Sequence, residues 1–442
     1  MYELLRNPNF LRLFVGRIVT NAGDSLYSVA TMWLVYRLTG SSTYTGIAGF
    51  LSMAPSTVQF LFGPVVDRLP LRRVLVGTQL AQGLLVLVVP LAAAFDVLSV
   101  WVLLVLIPFL SLLNQPVYPA ESAALPRIVA DDQLVRANSL FSFAYQGVDA
   151  AFNAVGGLLV AALGAVTLFA VDSLTFAATT LLFATLAIPA VDASDRDGPA
   201  PESRASRSST VDHSERSTAA SDGGRSVETS AEGSVISYLH DLGEGVAFVR
   251  GTVVAKLIVG AVVVNFAVGG ALAVLPAYAD GLGGASAYGL LSAALGVGLL
   301  GGALAGSVVE RFPFGRVVGL GNVVGALAWV SAVAVDWLPA SGLLFALALV
   351  PVGVTNVLEA ALIQTLVPDE LLGRVTAVLG SASTAMMPVG ALVGGVVAGA
   401  VSTAVVLVAA GGSLAVLGVY VLVVPSLRRL PPVSNVSTLT AE

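Results

Sequence analysis

Twelve apolar runs, each long enough to cross a bilayer, leave this chain little choice of fold. A spanning helix takes about 20 apolar residues. The runs lie at 14–36, 44–66, 73–94, 98–119, 137–163, 165–187, 253–278, 286–309, 316–335, 340–363, 376–400 and 403–424. They are too long for barrel strands, and a helix satisfies its own backbone polar groups in lipid. Only 11% of the 442 residues are charged, against about 25% in a soluble domain. Mean hydropathy is +0.90. An ordinary water-soluble enzyme is excluded, and 46 Gly permit close helix packing in lipid.

The missing residues narrow the function. Without Cys there is no disulfide, thiolate site or Cys nucleophile. The two His, His213 and His240, lie outside the apolar runs, so no metal site or haem is expected, and no cofactor. Lys256, the sole lysine, follows Ala255, so there is no phosphate-binding loop of the G-x-x-x-x-G-K-[ST] type. An enzyme is therefore not expected. No basic patch marks a nucleic-acid partner. MYELLRNPNF does not read as a cleaved signal peptide.

Basic residues orient the spans. With the N-terminus inside, the cytoplasmic breaks hold Arg6, Arg12, Arg68, Arg72, Arg73, Arg127, Arg136, Arg311, Arg316, Arg374, Arg428 and Arg429, and the outer breaks hold Arg37. Both termini are expected in the cytoplasm, in a plasma or inner membrane. Residues 190–234 carry nine acids and five Arg among Ser and Ala, and read as a disordered cytoplasmic linker. Val235, Tyr238, Leu239, Leu242, Val246 and Val249 then predict an amphipathic interfacial helix over 235–252. The expected organisation is a first six-helix bundle (1–189), the linker, that helix, a second bundle (253–427) and a cytoplasmic tail (428–442).

The halves repeat each other. Gly63-Pro-Val-Val-Asp67-Arg68-Leu-Pro70-Leu-Arg72-Arg73 aligns with Gly306-Ser-Val-Val-Glu310-Arg311-Phe-Pro313-Phe-Gly315-Arg316, residue 306 against residue 63, an offset of 243. Glu121 matches Glu359, Arg136 matches Arg374 and Gly156-Gly157 matches Gly394-Gly395, residue 359 against residue 121, an offset of 238. Two parallel six-helix repeats describe a transporter whose site lies between them.

The loop G-x-x-x-D-R-x-x-x-R-R at residues 63–73 resembles the motif between helices two and three of the major facilitator superfamily. Pro70 and Leu71 stand where that motif has Gly and a basic residue. Within the superfamily the chain resembles the macrolide-efflux and enterobactin-exporter branch, through NPNFLRLFVGRIVTNAGDSLY, WLVYRLTGSS, PAESAALPRIVADDQLVRANSL and LVPDELLGRV. The resemblance implies an all-α polytopic protein, twelve transmembrane helices in two pseudo-symmetric bundles of six. It also implies export driven by an ion gradient, and a monomer. The antiporter signature G-P-x-x-G-G of span five reads Phe152-Asn153-Ala-Val-Gly156-Gly157, without the Pro and first Gly.

Several polar residues interrupt the apolar runs. Arg17, Thr20, Asn21, Asp24, Ser28 and Thr31 recur every three or four residues and make one polar stripe on span one. An ion in lipid costs roughly 2.5–3.5 kcal/mol on insertion scales, so the stripe is expected to face a central cavity. Asp24 is a candidate proton carrier with Arg17 beside it, or the two form a structural pair. Ser139, Ser142, Gln146, Asp149 and Asn153 make a similar stripe on span five, with Asp149 a second candidate and Asp172 of span six a third. Gly63, Asp67, Arg68, Arg72 and Arg73, with Gly306, Glu310, Arg311 and Arg316, are expected to form gating loops. Glu121 and Glu359 read as scaffold residues.

Asn21, Gln59, Asn114, Gln115, Tyr118, Gln146, Asn265 and Asn356 are candidate cavity contacts for a small-molecule substrate. The rest of the lining is apolar, which suits amphiphilic or drug-like solutes better than sugars. The expected function is a secondary active exporter working by alternating access, with a proton or sodium as coupling ion. The alternatives are uptake or facilitated diffusion on the same fold, and a non-transporting membrane sensor or assembly factor.

Overall fold

The computed structural model describes residues 2–62, 66, 69–188, 243 and 246–435. Among the described residues the long helices group into twelve rods. In the first half they are α1 (Pro8–Thr39), α2 (Ser42–Met53, continuing as a 3₁₀ turn over Ala54–Phe62), α3 (Leu71–Ala94), α4 (Val100–Asn114 and Val117–Ile128), α5 (Leu134–Ser142, a π turn over Phe143–Gly147, and Val148–Leu163) and α6 (Ala165–Ala184). In the second they are α7 (Val253–Gly283), α8 (Ala285–Val309), α9 (Phe314–Ala334), α10 (Leu338–Leu366), α11 (Asp369–Thr384 and Met386–Ala400) and α12 (Thr403–Val423). The face of the molecule where α1 begins is called the near side, and the face where it ends the far side.

Nine of the described rods are long and apolar enough to cross a membrane. The other three, α1, α2 and α5, are those whose polar stripes or non-α turns interrupt the apolar run. Helices overrun the apolar runs: α1 starts at Pro8 and α4 ends at Ile128. Their polar ends are held by specific bonds. Asn7 caps α1, accepting from the backbone N–H of Asn9 (3.0 Å) and Phe10 (3.2 Å), and donates to the Ile128 carbonyl at the end of α4 (2.8 Å). Of the interfacial helix expected over 235–252, residues 246–249 form a helical turn with Val249 buried. The remainder, apart from Gly243 and residues 250–252, lies outside the described residues, as does the linker 190–234.

The two halves meet densely in the far half of the molecule. α2 packs on the second segment of α11, and the outer segment of α5 packs on α8. Both crossings are backbone against backbone. A side-chain carbon on Gly46 would lie 2.7 Å from the Ala391 carbonyl oxygen and from Gly395 Cα. One on Gly157 would fall inside the Gly289 backbone. Small residues let helices approach this closely, and packing rather than hydrophobicity drives the association in lipid. Further links lie at the same level. Thr45 Oγ1 donates to the Ala273 carbonyl (2.6 Å), and Trp33 stacks on Tyr288 with centroids 5.8 Å apart. By contrast the near-side segments Val117–Ile128 and Leu134–Ser142 pack within their own half. Among the described residues the contacts between the halves are thus densest on the far side, and the near side keeps a smaller one between the 3₁₀ turn of α2 and the first segment of α11.

The Gly157–Gly289 crossing sets up a test that exploits the absence of cysteine. In a Ser28→Cys background, an impermeant maleimide is expected to label from the near side alone. Adding Gly157→Val wedges α5 from α8, and far-side labelling is then expected to rise severalfold. Unchanged labelling would show that the glycine crossing does not close the far side.

Candidate functional site

The polar stripe of α1 turns inward, and Arg17 is its centre. This is the one buried base among the described residues, 4% exposed. Its Nη2 lies 3.7 Å from Asp24 Oδ2, and its Nη1 lies 4.0 Å from Glu121 Oε1 on α4. Neither is a hydrogen bond by distance. The guanidinium donates through Nη2 to Asn21 Oδ1 (2.9 Å) and rests over the Tyr145 ring, 4.3 Å from its centre. Its Nε finds no hydrogen-bond partner, nor does Glu121 Oε1. The other Glu121 oxygen accepts from the Tyr145 hydroxyl. One cation is therefore held between two carboxylates without being committed to either.

The π turn of α5 supports this arrangement. Widening the helix at Phe143–Gly147 leaves carbonyls without their usual i+4 donors, a feature common at functional sites. Asn21 Nδ2 supplies the missing donors, bonding the carbonyls of Ala144 (3.0 Å) and Tyr145 (2.8 Å). Asn21, expected to contact substrate, is thus occupied in joining α1 to α5 and in holding Arg17. One turn on, Ser25 donates to Asp149 Oδ1 (2.7 Å), and Asn153 donates to the same oxygen (2.7 Å). Asp149 has neutral partners where Asp24 has a charged one.

Asp24 also lines a cavity of about 190 Å³ that runs between α1, α2, α3, α4 and α6. Ser28, Gln82, Asn114, Gln115 and Asp172 share its wall. The cavity lined by the α1 stripe thus lies within the first bundle, where the sequence pointed to one between the halves. Sequence reasoning passed over Gln82 and Tyr145, and read Glu121 as a scaffold residue. The signals were present: Gln79 and Gln82 stand three apart on an otherwise apolar α3, and Glu121 is repeated at Glu359.

Other candidates are spread more widely. Gln115 donates to Ser111 O (2.7 Å) and Asn265 to Ala261 O (2.9 Å), so both amides turn back on their own helices. Tyr118 is 55% exposed and meets Tyr145 edge to face. Asn356 is exposed and Gln59 half-buried. Of the loop residues, Arg72 donates to the Ala184 carbonyl, and Arg73, Glu310 and Arg316 are exposed. Arg311 lies over its neighbour Phe312, and Gly306 packs under Val357 of α10. Among the described residues Glu310 forms no ion pair across the halves. Gly63, Asp67 and Arg68 lie outside the described residues, and so does the side chain of Gln146.

Two parallel six-helix bundles, the first with a buried ionic centre, define a membrane transporter rather than an enzyme. The sequence pattern of the Major Facilitator Superfamily matches residues 13–383, and the chain belongs to that superfamily. It is 27% identical over 441 residues to the multidrug efflux pump Tap of Mycolicibacterium fortuitum, covering 97% of this chain and 98% of that one. Its fold matches that of a bacterial homologue of the human lysosomal transporter Spinster, inward-facing and occupied, with TM-score 0.68 at 12% identity over 95% and 96% of the two chains. It also matches a bacterial homologue of the iron transporter ferroportin in an inward-facing state, with TM-score 0.64 at 16% identity over 95% and 98%.

The shared guanidinium predicts non-additive mutations. Arg17→Met strands Asp24 and Glu121 and is expected to cost about 3–5 kcal/mol, the usual penalty for breaking a buried pair from one side. Adding Glu121→Gln to Arg17→Met is expected to recover part of that loss. Thermal unfolding of the purified single and double variants measures it. Additive losses would show that Glu121 is not paired with Arg17.

Proposed function

We propose that this protein is a secondary active exporter of amphiphilic, drug-like small molecules, working by alternating access with proton antiport. The observation that carries the reading is the single guanidinium poised 3.7 and 4.0 Å from two carboxylates, in a chain that resembles a multidrug efflux pump along nearly its whole length. A proton arriving on Asp24 cancels its hold on Arg17, and the guanidinium swings fully to Glu121. Loss of that proton returns it. Because Arg17 and Asn21 brace α1 against the π turn of α5, the swing bears on the rod that crosses α8 at Gly157. A small charge movement is thereby coupled to the closing or parting of the halves.

The positive-inside bias supports cytoplasmic termini, which makes the near side the cytoplasmic side and this conformation inward-open. Glu310 and Arg311, with Asp67 and Arg68, then belong to gates that engage when the near side closes. An apolar passage with few unspent amides favours amphiphiles: Asn21, Gln115 and Asn265 already make bonds within the protein. Asn114 is hydrogen-bonded to Asp24, which leaves Ser28 and Tyr118 to orient a solute. Facilitated diffusion is the second reading, favoured by the missing Pro and Gly of the span-five antiporter signature.

Everted vesicles test the proposal. With an acid-inside gradient, lipophilic dyes are expected to accumulate, and Asp24→Asn is expected to reduce accumulation at least tenfold while the protein remains folded. Equal dye movement with and without the gradient would favour facilitated diffusion. No movement above empty vesicles would overturn export of such solutes.

A further inference from the structure

The interior of the first bundle is short of positive charge. Asp24, Glu121, Asp149 and Asp172 all lie on its spans, while Arg17 is the one buried base among the described residues. Arg17 answers Asp24 and Glu121, and Asp149 has two neutral donors. Asp172 is left over. It is 1% exposed, its Oδ1 accepts from the Thr175 hydroxyl (3.1 Å), and its Oδ2 has no hydrogen-bond partner. A buried carboxylate oxygen without a donor or a cation is costly. It needs an occupant.

The surroundings say what kind. Asp172 shares the 190 Å³ chamber with Asp24, Gln82, Ser28 and Asn114. Gly23 brings the two acids together. A side-chain carbon there would overlap Asp172 Oδ1 and the Thr175 hydroxyl, so the bare backbone of α1 is what admits the α6 carboxylate beside Asp24. The Gln82 amide donates to the Thr78 carbonyl (3.3 Å), which leaves its oxygen as the chamber's acceptor. Oxygen ligands from carboxylate, amide and hydroxyl suit a hard cation. Arg17 is shared between Asp24 and Glu121, so with Asp172 the chamber keeps more than one net negative charge, which a bound cation offsets. Carboxylate oxygens present a strong field, and a strong field favours the smaller alkali ion.

We propose that Asp172, with Asp24, Gln82 and Ser28, forms a sodium site inside the first bundle, sharing Asp24 with the Arg17–Glu121 switch. Sodium there ties α6 to α1 across Gly23 and sets the negative charge that Asp24 presents to Arg17. The site is read by binding alone, without transport. Loss of dye export and loss of sodium binding are therefore independent results.

The test is thermal unfolding of the purified full-length protein at pH 8, in sodium, potassium or choline chloride at equal ionic strength. The wild type is expected to gain a few degrees in midpoint, rising with sodium concentration and absent in the other two salts. Asp172→Asn is expected to abolish the dependence and Gly23→Ala to weaken it, while Glu359→Gln in the other bundle retains it. Identical wild-type midpoints in the three salts would overturn the proposal and assign a proton to Asp172. An equal gain in potassium, or a gain that a divalent-ion chelator removes, would overturn the sodium assignment. The wild-type titration decides the matter even where a variant does not fold.

Discussion

One guanidinium serves two carboxylates in the interior of the first bundle, and much of the first half is arranged around that imbalance. Arg17 can be buried only because Asp24, Glu121, Asn21 and the Tyr145 ring surround it. Those partners come from three rods, so the ionic centre is also a brace. Removing Arg17 leaves two uncompensated charges in a low-dielectric interior. Moving it a fraction of an ångström changes which rod it holds. The same scarcity of positive charge leaves Asp172 with an unmet oxygen.

The second constraint is steric. In lipid, apolar side chains gain little by leaving their surroundings, so the halves are held by close backbone approach. Gly46 against Ala391 and Gly395, and Gly157 against Gly289, bring the rods together where no side chain would fit. These crossings sit in the far half, and the near-side segments of α4 and α5 stay within their own bundle. A contact made of glycines is all-or-none, which suits a protein that must alternate between two seals. The π turn of α5 lies between this crossing and Arg17, and Asn21 fastens it to α1. Charge state and seal therefore share one mechanical connection.

Much of the architecture was legible in the sequence because a bilayer permits so few solutions. Run length, the Arg bias, the internal repeat and the resemblance all pointed to one fold, and the chain belongs to the superfamily they indicated. The stripe on α1 was legible for the same reason, since an Arg and an Asp on an apolar helix must face inward. Partners were harder to read. Periodicity assigns a residue to a face of its own helix and says nothing about the face opposite. Asn21 looked like a substrate contact and is occupied by the π turn. Glu121 looked like scaffold and is the second anion of Arg17. Gln82 drew no notice, because the spacing of Gln79 and Gln82 marks a face of α3 without saying what that face meets.

The sequence by itself determined the number of apolar spans, the duplicated halves and the presence of ionisable groups within them. Each follows from the local cost of placing backbone and charge in lipid. Only the tertiary structure decided which carboxylates share Arg17, which one is left without a cation, and on which side the halves pack most densely. Those outcomes depend on the register of one rod against another. A glycine at 23 or 157 fixes that register through the neighbour it admits, and the neighbour lies more than a hundred residues away in the chain.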